Sequence, residues 1–300
     1  MYYLLLLLAV VGIAATFGMG KVYQLHTKPT FGVILRKTLP LTVLEGLMFL
    51  AMNGFRVECN DFTLLMAALC TLVGILSAVV CFVGYANGSI AVFTMFQMVG
   101  GMLLPFIYGI WYGNEVTVFR VAGIVLLLFS VCLPFFGQRG TSGAVGKLTP
   151  KFILLCVSIF FLNGGISIIS YIYSNSPSAT DTNSFLIVKS GVMAAACVLL
   201  LVGYAFTPKG RGDTVTQVDR KTLGLLALLL LGMAVADGGS YYLQLISASK
   251  LPAVALYPIV TGGTMVMTAL VGRIFFREKI SRQSAIGIAL AFVATFLFMF

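Results

Sequence analysis

Three ionisable side chains stand inside long apolar runs of this sequence: Glu45, Lys189 and Asp237. A charge placed in hydrocarbon costs at least about 2.5–3.5 kcal/mol by insertion scales, so such residues bind something or are paired. Asp237 has two interpretations: it binds a solute ammonium or takes up a proton, or it neutralises Lys189 in a structural ion pair. Glu45 faces the same site or pairs with a basic residue near the start of its own run. Lys189 also stands near the start of its run, from where a long side chain reaches the membrane surface.

Asp237 is the strongest candidate because polar residues follow it at helical spacing. Asp237, Ser240, Tyr241 and Gln244 stand at i, i+3, i+4 and i+7, so a helix places them on one face. A carboxylate flanked by hydroxyl and amide groups has the donors and acceptors that hold a small polar molecule. We therefore predict Asp237, Tyr241 and Gln244 as site residues.

Three further apolar runs add polar candidates to this set. Two of the runs carry polar residues along one helical face: Asn163, Ser167, Ser170 and Ser174 in one, and Tyr257, Thr261, Thr264 and Thr268 in the other. Small polar residues also let helices pack closely and bond across their interface, and we interpret Thr264 and Thr268 in that way. The residues predicted to line the site are Asn163, Tyr257, Thr261 and, from a third run, Gln97.

The composition places these residues in a membrane protein. The chain is 60% apolar and only 9% charged, with a mean hydropathy of +1.05, whereas soluble domains are about a quarter charged. The apolar runs do not alternate, and helices of about 20 residues cross the bilayer with their backbone groups paired internally. The predicted fold is therefore all-α and integral to the membrane, with ten transmembrane helices. The spans run roughly over 2–20, 33–54, 62–84, 89–111, 118–136, 152–173, 183–206, 222–246, 252–275 and 283–300.

The basic residues that give the formal charge of +10 lie mostly in alternate connections between the spans. Those after spans one, five, seven and nine hold 4, 3, 4 and 4 of the 19 Lys and Arg residues. Basic residues on alternate connections are what the positive-inside rule produces, so both termini are expected outside and nucleic acid is not an expected partner. A single histidine, no CxxC pair, no HExxH and no phosphate-binding loop argue against an enzyme, a metal site or a cofactor.

The sequence repeats itself over long range. "AVFTMFQMVGG" at 91–101 recurs as "AVALYPIVTGG" at 253–263, and "GVILRK" is echoed by "FLIVK", which sets Arg36 or Lys37 opposite Lys189. Further matched pairs are Gly109 with Gly272, Glu115 with Glu278, and Gly123 with Gly287. Residues 1–140 and 141–300 are thus predicted to be two repeats of five spans in one membrane domain. The paired glycines are expected to admit a neighbouring helix, and Glu115 and Glu278 to form salt bridges at helix ends.

An odd number of spans per repeat makes the second copy enter the membrane from the opposite face. The basic residues agree, since equivalent connections of the two repeats carry opposite charge bias. Inverted repeats are typical of secondary transporters, in which two halves expose a central site alternately to each side.

The segment "ALYPIVTGGTMVMTALVGRIFFREKISRQSAIGIALAFVATFLF", weakly repeated in "YGNEVTVFRVAG", resembles the EamA-like ten-helix members of the drug/metabolite transporter superfamily. The resemblance implies a cavity between the halves, lined largely by helices one, three, four, six, eight and nine, with both termini in the cytoplasm. It implies export of amino acids, other metabolites or toxic compounds. Helix four has Phe96 and Gln97 where the family often has proline, and the first helix has no carboxylate, so proton coupling does not carry over directly.

From these features we expect a secondary transporter of a small organic solute, namely an amino acid, a metabolite or a drug-like amphipath, with export expected by family analogy. The expected location is the plasma (inner) membrane, as a multi-pass monomer or weak homodimer in the lipid bilayer, with a proton as candidate coupling ion. Two alternatives remain open: a polar-lined channel, and an exchanger of phosphorylated or sugar metabolites.

Orientation is the first testable prediction, because charge distribution and family resemblance disagree on it. Alkaline phosphatase fused to either terminus should be enzymatically active, and green fluorescent protein fused there should be dark, since the basic connections hold the opposite ends of the helices in the cytoplasm. Fluorescent fusions at both termini would contradict the charge-based orientation.

Overall fold

The computed structural model of the 300-residue chain describes residues 2–28, 30–111, 117–136, 149–207, 220–248, 253–278 and 280–297, and the regular structure in these ranges is α-helical throughout. It forms ten helices: α1 Tyr2–Leu25, α2 Phe31–Met52, α3 Asp61–Asn87, α4 Ile90–Trp111, α5 Val118–Phe136, α6 Pro150–Ser174, α7 Thr182–Ala205, α8 Arg220–Ala248, α9 Ala253–Phe275 and α10 Arg282–Leu297. Each coincides with a predicted span to within a few residues. Among the described residues, α1, α3, α4, α6, α7 and α8 are long and apolar enough to cross a membrane. The all-helical, membrane-type fold is confirmed.

Side-chain caps set the starts of several helices. Asn60 accepts a hydrogen bond from the Thr63 backbone N–H at 2.7 Å, and Asp181 accepts one from Ser184 at 3.1 Å. Thr149 caps α6 in the same way. These caps satisfy backbone donors that a helix start leaves without an intrahelical partner, so the turns between apolar runs place the helix boundaries.

The glycines of the repeated motif are contact points between helices, as predicted. A Cβ on Gly100 of α4 would overlap the backbone of Phe160 in α6, and one on Gly164 of α6 would lie 2.7 Å from the Gly100 carbonyl oxygen. In α9, a Cβ on Gly262 would lie 2.8 Å from Phe292 of α10. Larger side chains at these positions would push the helices apart, so the motif holds α4 on α6 and α9 on α10.

The largest buried apolar cluster surrounds α4. It joins residues from α4, α5, α6, α9 and α10, among them Phe93, Val99, Leu103, Leu127, Ile159, Met265 and Ala291. Outside this cluster, α1 packs against α8 and α9, α2 against α7 and α8, α3 against α6 and α7, and α5 against α10. Most packing therefore joins a helix of residues 1–140 to a helix of residues 141–300.

One end of the bundle, which we call the clasp end, is held by Glu278. Its carboxylate forms an ion pair with Lys21 of α1, and the exposed fractions of the two side chains are only 12% and 10%. It also accepts hydrogen bonds from the Ser89 hydroxyl and, at 3.1 Å, from the backbone N–H of Ile90 at the start of α4. The predicted salt bridge of Glu278 is confirmed; Glu115, its repeat counterpart, lies outside the described residues. Helix α1 continues past its predicted end at residue 20, so Lys21 belongs to the helix.

The opposite end, the network end, is held by neutral polar groups. The Asn60 amide donates to the Ser178 carbonyl oxygen at 2.8 Å, and the Thr63 and Tyr173 hydroxyls are 3.2 Å apart. The Ser184 hydroxyl accepts a hydrogen bond from the backbone N–H of Glu58 at 3.1 Å. These bonds join the α2–α3 connection and the start of α3 to the α6–α7 segment, so each end of the bundle is tied across the two halves of the chain.

Replacement of the Glu278 carboxylate tests the clasp. Glu278→Ala should lower the free energy of unfolding by about 3–5 kcal/mol, because it leaves the Lys21 ammonium buried without its counter-charge and the start of α4 without an acceptor. Thermal unfolding of the purified protein in detergent measures the loss. Arg282→Ala, an exposed change nearby, is the matched control, and a Glu278→Ala variant as stable as this control would contradict the role of the clasp.

Candidate functional site

The structure brings the three predicted ionisable residues together. Helix α2 packs against both α7 and α8, and Glu45 of α2 interacts electrostatically with Lys189 of α7 and Asp237 of α8. Asp237 interacts with Lys189 in turn. All three side chains are half-buried. They come from both halves of the chain and meet where the halves pack.

Small residues beside the charged ones allow this approach. A Cβ on Gly46, next to Glu45, would lie 3.0 Å from the Ser190 Cβ in α7. A Cβ on Gly238, next to Asp237, would overlap the side chain of Met48 in α2. Each glycine directly follows its charged residue, so the two carboxylates lie next to close contacts of α2 with α7 and α8.

Among the described residues, Lys189 forms no salt bridge within 4.0 Å with Glu45 or Asp237. Across the described ranges, the salt bridge with a nitrogen–oxygen distance within 4.0 Å is the one between Lys21 and Glu278. The side chains of Glu45, Lys189 and Asp237 form no hydrogen bond to a described residue. The structural ion pair between Asp237 and Lys189 is therefore not closed in this conformation. Half-buried charges require polar partners, and for these three side chains the described residues supply none within salt-bridge distance.

Lys37 joins this group, although the sequence pattern alone assigned it to a connection. It lies in the second turn of α2, and its Nζ atom is 5.5 Å from the ring centroid of Tyr23 and 5.8 Å from that of Phe82. It interacts electrostatically with Glu45. The sequence feature that pointed to Lys37 was the repeat, which aligned Arg36 or Lys37 with Lys189. We call Lys37, Glu45, Lys189 and Asp237 the acid–lysine cluster.

The polar face predicted on α8 divides between two neighbouring helices. The Tyr241 ring packs edge-on against Phe49 of α2, with centroids 5.3 Å apart, on the side of the acid–lysine cluster. Ser240 instead faces α1, where a Cβ on Gly12 would overlap its hydroxyl. The Gln244 amide donates to the Ser240 carbonyl oxygen at 3.2 Å. Tyr241 thus lies beside the cluster, whereas Gln244 is engaged with its own helix.

The remaining predicted residues lie on other helices. The Asn163 amide of α6 donates to the Gln97 backbone oxygen of α4 at 2.7 Å, which ties these helices together. The Gln97 side chain is half-buried, with its Oε1 4.0 Å from the Cys81 sulfur. Thr261 is half-buried on α9. Tyr257 belongs to α9 as well, but its side chain lies outside the described residues. Gln97 thus lies beside Cys81 of α3, and Asn163 holds the interface between α4 and α6.

Comparison with known proteins identifies the fold. No protein-family model matches the chain, and no curated protein sequence matches it. Among solved structures, 23 chains match. One of them, a protein known from its crystal structure, has a TM-score of 0.57 and 15% sequence identity, over 97% of this chain and 95% of that chain. The two chains are similar over nearly their whole lengths, and at this identity the similarity shows the fold alone.

Proposed function

We propose that this protein is a secondary transporter that moves a small organic solute across the membrane by alternating access between two inverted five-helix repeats, 1–140 and 141–300. The observation that carries the proposal is the acid–lysine cluster. Its charges come from both halves, are half-buried where the halves pack, and have no direct protein counter-charge within 4.0 Å among the described residues. Intramembrane charges of this kind mark solute or ion pathways.

The pattern of helix packing supports the inverted repeat. Exchanging α1 with α6, α2 with α7, α3 with α8, α4 with α9 and α5 with α10 turns each major packed pair between the halves into another packed pair. The α1–α8 pair becomes α6–α3, α1–α9 becomes α6–α4, and α2–α8 becomes α7–α3, while α2–α7, α4–α9 and α5–α10 map onto themselves. With ten helices crossing in alternation, equivalent helices five apart run in opposite directions, as an inverted repeat requires.

The contacts at the two ends are suited to alternating access. The clasp end is closed by the Lys21–Glu278 ion pair and the network end by hydrogen bonds such as that from Asn60 to Ser178. When an end opens, water can replace the hydrogen-bond partners of its polar groups. Water cannot replace the apolar contacts of the cluster around α4 in this way. Opening one end while the other stays tied would expose the acid–lysine cluster to one side at a time.

The charges of the cluster favour a polar solute with charge of its own. Two carboxylates and two lysines bind a zwitterion such as an amino acid, and the Tyr241 and Phe49 rings accommodate an apolar side group. The resemblance to the drug/metabolite transporter superfamily supports export and a location in the plasma (inner) membrane. A proton taken up by Asp237 or Glu45 is the candidate coupling ion.

Asp237→Asn tests the central carboxylate. We expect transport to fall by about tenfold or more, because a charge-assisted hydrogen bond worth about 1.5–3 kcal/mol is lost while the side-chain volume is kept. Metabolites in the medium of cells that produce the parent protein identify the solute, and counterflow of that solute in proteoliposomes then measures transport. Asp61→Asn, at the exposed start of α3, is the control. An Asp237→Asn variant with parental counterflow would remove Asp237 from the mechanism, and flux without counterflow would indicate a channel.

A double variant separates a transport role from a structural one. Lys189→Ala and Asp237→Ala should each lower the membrane yield, because each removes part of the electrostatic compensation of the other charge. The double variant should recover yield, with a coupling of about 0.5–3 kcal/mol, but should not recover counterflow. Recovery of both would show that the two residues serve only to neutralise one another.

A further inference from the structure

We propose that Lys37 and Lys189 form a two-position binding site for one anionic group of the solute, a carboxylate or a phosphate. Lys37 binds the group when the solute lies toward the clasp end, and Lys189 binds it when the solute lies toward the network end. This inference rests on the proposed function and goes beyond it, because it assigns the solute an anionic group and names the side chains that hold it.

The surroundings of Lys37 are those of a cation without an anionic partner. Its ammonium faces the Tyr23 and Phe82 rings, and a Cβ on Gly20 of α1 would lie 3.7 Å from it. In the part of the chain that the structure describes, no carboxylate oxygen lies within 4.0 Å of Lys37 and no hydrogen bond from it is found. An ammonium has three donors. Ring faces attract a cation but accept none of those hydrogen bonds in the way an anion does.

The nearest acid along α2 is too far away to neutralise Lys37 directly. Glu45 is two helical turns further on, or about 12 Å along the helix axis at 1.5 Å per residue. Glu45 interacts electrostatically with both Lys37 and Lys189, and the contact of Gly46 with Ser190 places Glu45 at the depth of Lys189. A solute amine bound at the carboxylates therefore has Lys189 beside it and Lys37 further toward the clasp end, and an anionic group of the same solute reaches one or the other.

The two lysines occupy equivalent depths from opposite ends of the bundle. Lys37 lies in the second turn of α2, which begins at the clasp end, and Lys189 lies in the second turn of α7, which begins at the network end. The two helices pack against each other. The sequence repeat that pairs "GVILRK" with "FLIVK" relates the same two positions. Passing the anion from one lysine to the other keeps it neutralised at both depths, which avoids the cost of an unpaired charge.

Binding of small anions to the purified protein tests this site without a transport assay. The probes are lactate and benzoate as carboxylates, and glycerol phosphate and phenyl phosphate as phosphates. Lactamide, benzamide, glycerol and phenol are the neutral counterparts. A ligand that binds the folded state raises the midpoint of thermal unfolding with its concentration. We expect at least one anion to stabilise the parent more than its neutral counterpart does, and the responding class distinguishes carboxylate from phosphate.

Variants of Lys37 identify the binding group. Lys37→Gln should weaken the apparent affinity for that anion by about tenfold or more, as expected when a charged hydrogen-bond donor is lost, and Lys37→Arg should retain most of it. Lys189→Gln should also weaken binding. Arg36→Gln, on the exposed side of the same helix, should bind as the parent does. If no anion stabilises the parent, or if Lys37→Gln binds it with parental affinity, the inference is overturned.

These experiments distinguish failure of the two-position anion site from failure of the transport proposal. The Lys37 inference alone would be overturned if counterflow depends on Asp237 while Lys37→Gln changes neither the KM of counterflow nor the stabilisation by anions. Anion stabilisation that depends on Lys37 and Lys189 without any counterflow would support the two-position site and overturn transport. Should Lys37→Gln unfold in detergent, Lys37→Arg and Lys37→Met supply the comparison, with the charge kept in one and lost at similar length in the other.

Discussion

Helix α2 places two charged side chains, Lys37 and Glu45, inside the helix bundle. Because burying charge costs free energy, the rest of the structure depends on how α2 packs against its neighbours. With Arg36, these residues keep α2 from being apolar enough to rank among the helices that could cross a membrane on hydropathy alone. The helix is supported by its neighbours instead. It lies against α7 and α8, and the charges that it carries face Lys189 and Asp237 on those helices. This charged helix is therefore held by two helices of the other half of the chain.

The remaining contacts divide into two physical kinds. The apolar packing around α4 and the glycine contacts of α4 with α6 and of α9 with α10 depend on close fit, and separating such surfaces loses their van der Waals contacts. The clasp at Glu278 and the hydrogen bonds around Asn60 and Ser184 join the same halves through polar groups. Water replaces polar contacts more readily than close-packed ones. The ends of the bundle are thus the parts whose opening costs least, while the centre remains intact.

In the proposed transporter, the acid–lysine cluster is the part of the bundle that binds the solute. It stands between the two polar ends and is shared by both halves, so a relative movement of the halves changes its surroundings without dismantling either one. Its lysines occupy repeat-related positions, whereas its two carboxylates, Glu45 and Asp237, lie on α2 and α8, which are not repeat partners. In the proposed mechanism, the two repeat-related lysines bind the anionic group of the solute in turn, and the two carboxylates bind its amine.

Local sequence patterns determined which segments are helices, because apolar run length and helical period depend only on neighbouring residues. They also identified Glu45, Lys189 and Asp237 as costly intramembrane charges, the repeated glycines as packing sites, and Glu278 as an ion-pair residue. Which neighbour each side chain meets was decided by tertiary packing alone. Ser240 shares a helical face with Asp237 but meets α1, Asn163 ties α6 to α4, and Lys21 proved to be the partner of Glu278. Lys37 shows the same limit most clearly. Its position near the start of an apolar run is equally compatible with a surface residue, and only the placement of α1 and α3 around α2 turns its ammonium toward the interior.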